Sequence, residues 1–139
     1  MNRWKIKDWD DRFEFALTVA GIYCGAIYLF GPERLRMIYV YVNQYADGTL
    51  GMQILGLIWL AGGLLILGAR ILQPRPTNLR RLGHALSAGV YFLMALSLGW
   101  SIFVGGPAQS GGAFVPYLIV MLMHVYFGTH QPAWRRRQE

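Results

Sequence analysis

The chain has 139 residues, of which 55% are hydrophobic and only 14% charged, against roughly 25% charged residues in soluble domains; a water-soluble domain of ordinary composition is excluded. Its net charge of +6 and pI near 9.8 arise from basic blocks separated by apolar runs, not from the continuous stripe that binds nucleic acid. Cys24 is the one cysteine, which excludes an internal disulfide framework and a cysteine-rich metal site.

A bilayer core roughly 30 Å thick takes about 20 residues of helix to cross. Four stretches, 15–30, 50–69, 83–104 and 113–128, contain no Asp, Glu, Lys or Arg. With their flanks they predict helices over 13–31, 50–71, 82–104 and 113–130. The expected fold is therefore an all-α, integral membrane four-helix bundle, one transmembrane domain spanning residues 1–139.

Before the first helix, Asp8, Asp10, Asp11 and Glu14 make the segment unlike the short basic leader of a secretory signal, so it reads as part of the mature chain. Asp11 and Glu14 are spaced as a capping box at the start of that helix, and Gly21 and Gly25 within it are spaced to let a second backbone approach. The following connection, with apolar Leu35, Ile38, Tyr39 and Val42, suits a short amphipathic segment over 33–45 lying on the outer membrane surface.

The second helix carries "LGLIWLAGGLLILGA", which lacks the polar stripe of a soluble amphipathic helix. It runs into "ARILQPRPTNLRRLGH", residues 69–84, where Pro74 and Pro76 end the helix and stiffen a loop over 70–82. Ala85 and Gly89, then Ala95 and Gly99, repeat the four-residue small spacing in the third helix, and "GGPAQSGG" turns the chain toward the last one, which carries His124. Basic residues at 3, 5, 7, 12, 70, 75, 80, 81, 135, 136 and 137 place 11 of 13 on one side if both termini are inside. Lys and Arg concentrate in cytoplasmic connections, so both termini are expected in the cytoplasm and the protein in the inner membrane. Arg75, Arg80, Arg81, Arg135, Arg136 and Arg137 would then meet anionic lipid headgroups; membrane lipid is the expected partner, nucleic acid is not.

Ionisable groups in or near the bilayer point to function, because they are costly to keep there. Glu14 and His124 are the candidates for proton coupling, with His84 and His130 in the same half. No nucleophile elbow, acid–histidine–serine grouping or phosphate loop is present, so no enzymatic activity is expected. His124 and His130 lie about 240° apart around a helix at 3.6 residues per turn, which argues against a metal site; no cofactor is expected.

The Trp- and Gly-rich second helix, "RRLGHALSAGVYFLMALSLGW" entering the third, the uncharged Gly/Pro turn and the His124-bearing last helix with its basic tail together resemble small four-helix membrane proteins of actinobacterial phages, described as holin-like. The resemblance is one of layout. It implies a non-enzymatic protein that oligomerises, or joins a membrane-protein partner, and permeabilises the inner membrane. The residues themselves leave two other readings open: a proton-coupled small-molecule transporter or channel using Glu14 and His124, and an accessory subunit of a larger membrane complex.

Overall fold

The computed structural model describes residues 9–31, 49–72, 77–104 and 109–130. The amphipathic segment expected over 33–45, and Arg75, Arg135, Arg136 and Arg137, lie outside the described residues. The described residues form four helices: α1 Trp9–Phe30, α2 Thr49–Ile71, α3 Thr77–Phe103 and α4 Gln109–Thr129. The protein is all-α.

Three helices start four or five residues earlier than expected, α4 at Gln109 among them, and the other two bear on the site. α1 begins at Trp9, so Asp11 and Glu14 sit inside the helix, both buried, and do not form its capping box. α3 begins at Thr77, so the loop expected over 70–82 gives way to helix. Arg80 and Arg81 are good helix formers, and the helix extends through them well before its apolar run begins.

Spans Trp9–Phe30, Gln53–Ile71 and Asn78–Trp100 are long and apolar enough to cross a membrane, while the apolar part of α4, Phe114–Thr129, is shorter. In the apolar 18-residue stretch of each of those three spans only 28%, 33% and 50% of the residues are buried in the protein. Their outward faces carry Val19, Tyr23, Leu57, Leu64, Leu93 and Leu96. An apolar surface this continuous is not left facing water; this is a membrane protein whose outer solvent is lipid.

The inward faces follow a spacing of three and four. In α1 the buried residues are Asp11, Glu14, Thr18, Gly21, Gly25 and Tyr28; in α2, Leu55, Trp59, Gly62, Ile66 and Ala69; in α3, Arg80, His84, Ser87, Tyr91, Met94 and Leu98. Such a near-seven-residue repeat keeps one seam of a helix against its neighbours. Packing is sequential, α1 on α2, α2 on α3 and α3 on α4. Arg70 Nη1 at the end of α2 reaches the Asp11 carbonyl near the start of α1 (3.5 Å), and Arg80 near the start of α3 reaches the His130 carbonyl just past α4. Neighbouring helices therefore run antiparallel, up-down-up-down, and both chain-terminal helix ends lie at one end of the bundle.

Two close crossings hold the first three helices. A Cβ on Gly25 would lie 2.5 Å from the Leu60 backbone nitrogen, and one on Gly83 would lie 2.7 Å from the Gly62 carbonyl oxygen; at both points backbone packs on backbone. Where lipid gives no hydrophobic drive between helices, this contact supplies much of the association. Beyond the crossings, Trp59 lies edge-on between Tyr28 (centroids 5.6 Å) and Tyr91 (4.8 Å) at the centre of a cluster with Leu55, Val90 and Met94.

Of the small residues singled out for helix packing, Gly21 faces the Trp59 indole, Gly25 meets α2 and Gly99 faces Phe114, while Ala95 is buried. Ala85 and Gly89 do otherwise. Ala85 is exposed, and a Cβ on Gly89 would meet nothing within 4 Å, because the inward face of α3 runs through His84, Ser87 and Tyr91 instead. Neither residue is buried between helices.

Candidate functional site

The polar positions of the inward faces converge at the end where α1 and α3 begin and α4 finishes. Glu14 of α1 is 4% exposed, Arg80 of α3 4%, and His84 of α3 and His124 of α4 1% each. Arg80 and His84 are one turn apart and so share a face, which turns both toward Glu14.

Arg80 Nε donates to Glu14 Oε1 at 2.6 Å, while its Nη1 donates to the His130 carbonyl at 3.1 Å. That carbonyl lies past the end of α4, where helix geometry leaves acceptors unpaired. The guanidinium thus joins α1, α3 and the end of α4. This corrects the assignment of Arg80 to lipid headgroups: its side chain is enclosed in protein, and an arginine buried without a carboxylate would be prohibitive. Arg81, the next residue, is exposed.

His84 Nε2 lies 3.0 Å from the same Glu14 Oε1, and His84 Nδ1 lies 3.0 Å from His124 Nδ1. His84 is flanked by the Phe127 ring (centroids 6.0 Å), and His124 stacks on Tyr91 (5.4 Å, interplanar 23°). Gly128 gives His84 its room, since a Cβ there would stand 3.1 Å from the His84 Cβ. Thr18 anchors the Glu14 segment by donating to the Glu14 carbonyl at 2.7 Å. Glu14 and His124, picked out separately in the sequence, are therefore two ends of one hydrogen-bonded chain whose middle member is His84.

One assignment of the protons satisfies these contacts without leaving a net buried charge. Arginine stays charged, and its short contact holds Glu14 as the carboxylate, an acceptor only. His84 Nε2 must then carry a hydrogen and donate to Glu14. Because Arg80 and Glu14 already cancel, a neutral His84 avoids a net buried charge; its Nδ1 is then a bare acceptor. His124 Nδ1 accordingly donates to it, which leaves the lone pair on His124 Nε2. That atom is buried and has no hydrogen-bond partner among the described residues. In this assignment the chain terminates in an unsatisfied base.

Beside the two histidines, between α3 and α4, is a cavity of about 450 Å³. Its wall includes Arg81, His84, Ala85, His124, Val125 and Thr129, so it combines apolar surface with cationic and basic groups and, among the described residues, includes no carboxylate. Among the described residues no three His, Cys, Asp or Glu side chains form a group able to hold a metal, and both His84 nitrogens are engaged within the chain of hydrogen bonds.

Fold and site together define a helical membrane protein with a buried carboxylate–histidine–histidine network at one end. Comparison with protein-family models, curated proteins and solved structures finds no match for this chain.

Proposed function

We propose that this protein moves protons in the inner membrane, as a proton-coupled small-molecule transporter in which Glu14, His84 and His124 form the relay. The observation that carries the reading is the continuous pair of 3.0 Å contacts from Glu14 through His84 to His124, ending at a His124 Nε2 that has no partner among the described residues. A proton arriving on His124 Nε2 releases the Nδ1 proton to His84 Nδ1, and His84 in turn releases its Nε2 proton to Glu14 Oε1. Every hydrogen bond reverses polarity, both rings end neutral, and one proton has moved from His124 to Glu14. Arg80 loses its anionic partner in that state, which couples the proton's position to the junction of α1, α3 and α4.

The basic blocks support placing this polar end at the cytoplasmic face, with both termini inside and α4 as a fourth crossing. Arg75, Arg135, Arg136 and Arg137 would face lipid headgroups there. A second reading, the holin-like oligomer, is supported by the open surface at Gly89 and exposed Ala85, which leave one small-residue face of α3 available to a second copy.

The test is flux. Purified protein reconstituted into liposomes with a pH-sensitive dye inside, and driven by a potassium diffusion potential, is expected to acidify the lumen. Glu14→Gln, His84→Phe and His124→Phe should each return the rate to that of empty liposomes. Equal rates in all four proteins would refute the relay, and abrupt leakage of a co-entrapped neutral dye would favour the oligomeric pore.

A further inference from the structure

We infer that the cavity between α3 and α4 binds a small monocarboxylic acid, which it receives together with its proton: the acid's O–H faces His124 and its carboxylate, once formed, is held by Arg81. The inference rests on the relay and names what feeds it.

Three features of the cavity select this class. The first is the unpartnered His124 Nε2. The ring is buried in the cavity wall, and its Nε2 has no hydrogen-bond partner among the described residues; with the hydrogen of His124 assigned to Nδ1, as argued above, that atom is an acceptor and its partner must bring an O–H or N–H of its own. The second is charge. Among the described residues the wall includes Arg81 and no acidic residue, so a cation is disfavoured and an anion is stabilised by a side chain whose planar fork matches a carboxylate. The third is the remaining surface, Ala85, Ala88, Val125 and Gly128, which suits a compact apolar body. A volume near 450 Å³ lies within the roughly 300–1,000 Å³ of small-ligand sites.

A phosphodiester headgroup satisfies Arg81 but brings no proton for His124. A neutral alcohol satisfies His124 but gives Arg81 no counter-charge. A carboxylic acid does both in sequence. Its O–H bond breaks as an N–H bond forms on His124 Nε2, the two internal transfers follow, and the final O–H forms on Glu14. The products are a carboxylate beside Arg81 and a protonated Glu14 behind His84, with no oxidant, reductant or further reactant involved. Acid and proton then occupy separate places in the same protein, which is the arrangement a proton-coupled carrier of weak acids needs.

The test uses the full-length protein in detergent micelles and benzoate as the probe. Calorimetric titration at neutral pH, repeated in buffers of different ionisation enthalpy, is expected to show saturable binding with uptake of about one proton per benzoate, because the bound form is the acid plus the relay. Benzyl alcohol, of the same shape but without the acid, should bind at least about tenfold more weakly and take up no proton. Arg81→Ala, at an exposed position that leaves the fold unaltered, should weaken benzoate about tenfold, and His124→Phe should abolish proton uptake. Absence of saturable binding, benzoate binding equal to that of benzyl alcohol, or binding that Arg81→Ala leaves unchanged would overturn the inference; so would retention of phosphatidylglycerol at the site in place of benzoate. Failure of the relay reads out differently, as lost lumenal acidification in the liposome assay.

Discussion

The seams of this bundle are built on two opposite plans. Between α1, α2 and α3, glycines at 25, 62 and 83 bring backbones together until a single added carbon would collide, and an aromatic cluster centred on Trp59 fills what is left. Between α3 and α4, at the polar end, the residues facing one another are two histidines, and a cavity of about 450 Å³ opens beside them. Close backbone contact leaves no space for a ligand or a change of hydrogen-bond polarity. The α3–α4 seam provides both, and the buried Glu14–Arg80 pair ties it to the rigid part.

Substitutions can break this contrast at graded cost. Glu14→Gln should destabilise most, by about 3–5 kcal/mol, because it strands a buried guanidinium; Glu14→Leu combined with Arg80→Met should recover much of that loss, as followed by thermal unfolding in micelles. A double variant no more stable than the single one would mean the pair is not the source. Gly25→Val is next, at about 3 kcal/mol, since the obstructing atoms belong to the Leu60 backbone and cannot rotate away.

His124→Phe sharpens the comparison. It removes an unsatisfied acceptor while leaving a ring to stack on Tyr91, and costs His84 its donor, so stability should change by no more than about 1 kcal/mol while proton flux disappears. Smallest of all, Gly89→Leu meets open space and should shift stability by less than about 0.5 kcal/mol. A large loss at position 89, measured at a protein concentration low enough to disfavour association, would contradict the packing described here.

Composition and the lengths of the uncharged runs make the all-α membrane fold legible without coordinates, because lipid requires apolar helices of a set length. The site was only half legible. Glu14 and His124 stand out as ionisable groups next to apolar runs, but their link, His84, resembles a helix-entry residue, and Arg80 resembles its neighbours in a basic loop. A signal was available in the spacing. Positions 11, 14, 18, 21, 25 and 28 in α1, and 80, 84, 87, 91, 94 and 98 in α3, each form one continuous face that begins polar and ends apolar. Reading Arg80 as part of that face requires the helix to start at Thr77, before the apolar run, and hydropathy alone does not reveal that. The same spacing excludes Ala85 and Gly89 from the inward surface, although their small-residue pattern is as good as that of Gly21 and Gly25.

The central claim is that one directed chain of hydrogen bonds runs from His124 to Glu14, and nitrogen NMR of the protein labelled at histidine tests it most directly. The account predicts that His84 carries its hydrogen on Nε2 and His124 on Nδ1, with a through-bond coupling between the two Nδ1 atoms and a bare Nε2 on His124. Finding the hydrogen on Nε2 in both rings, with no coupling between them, would contradict it.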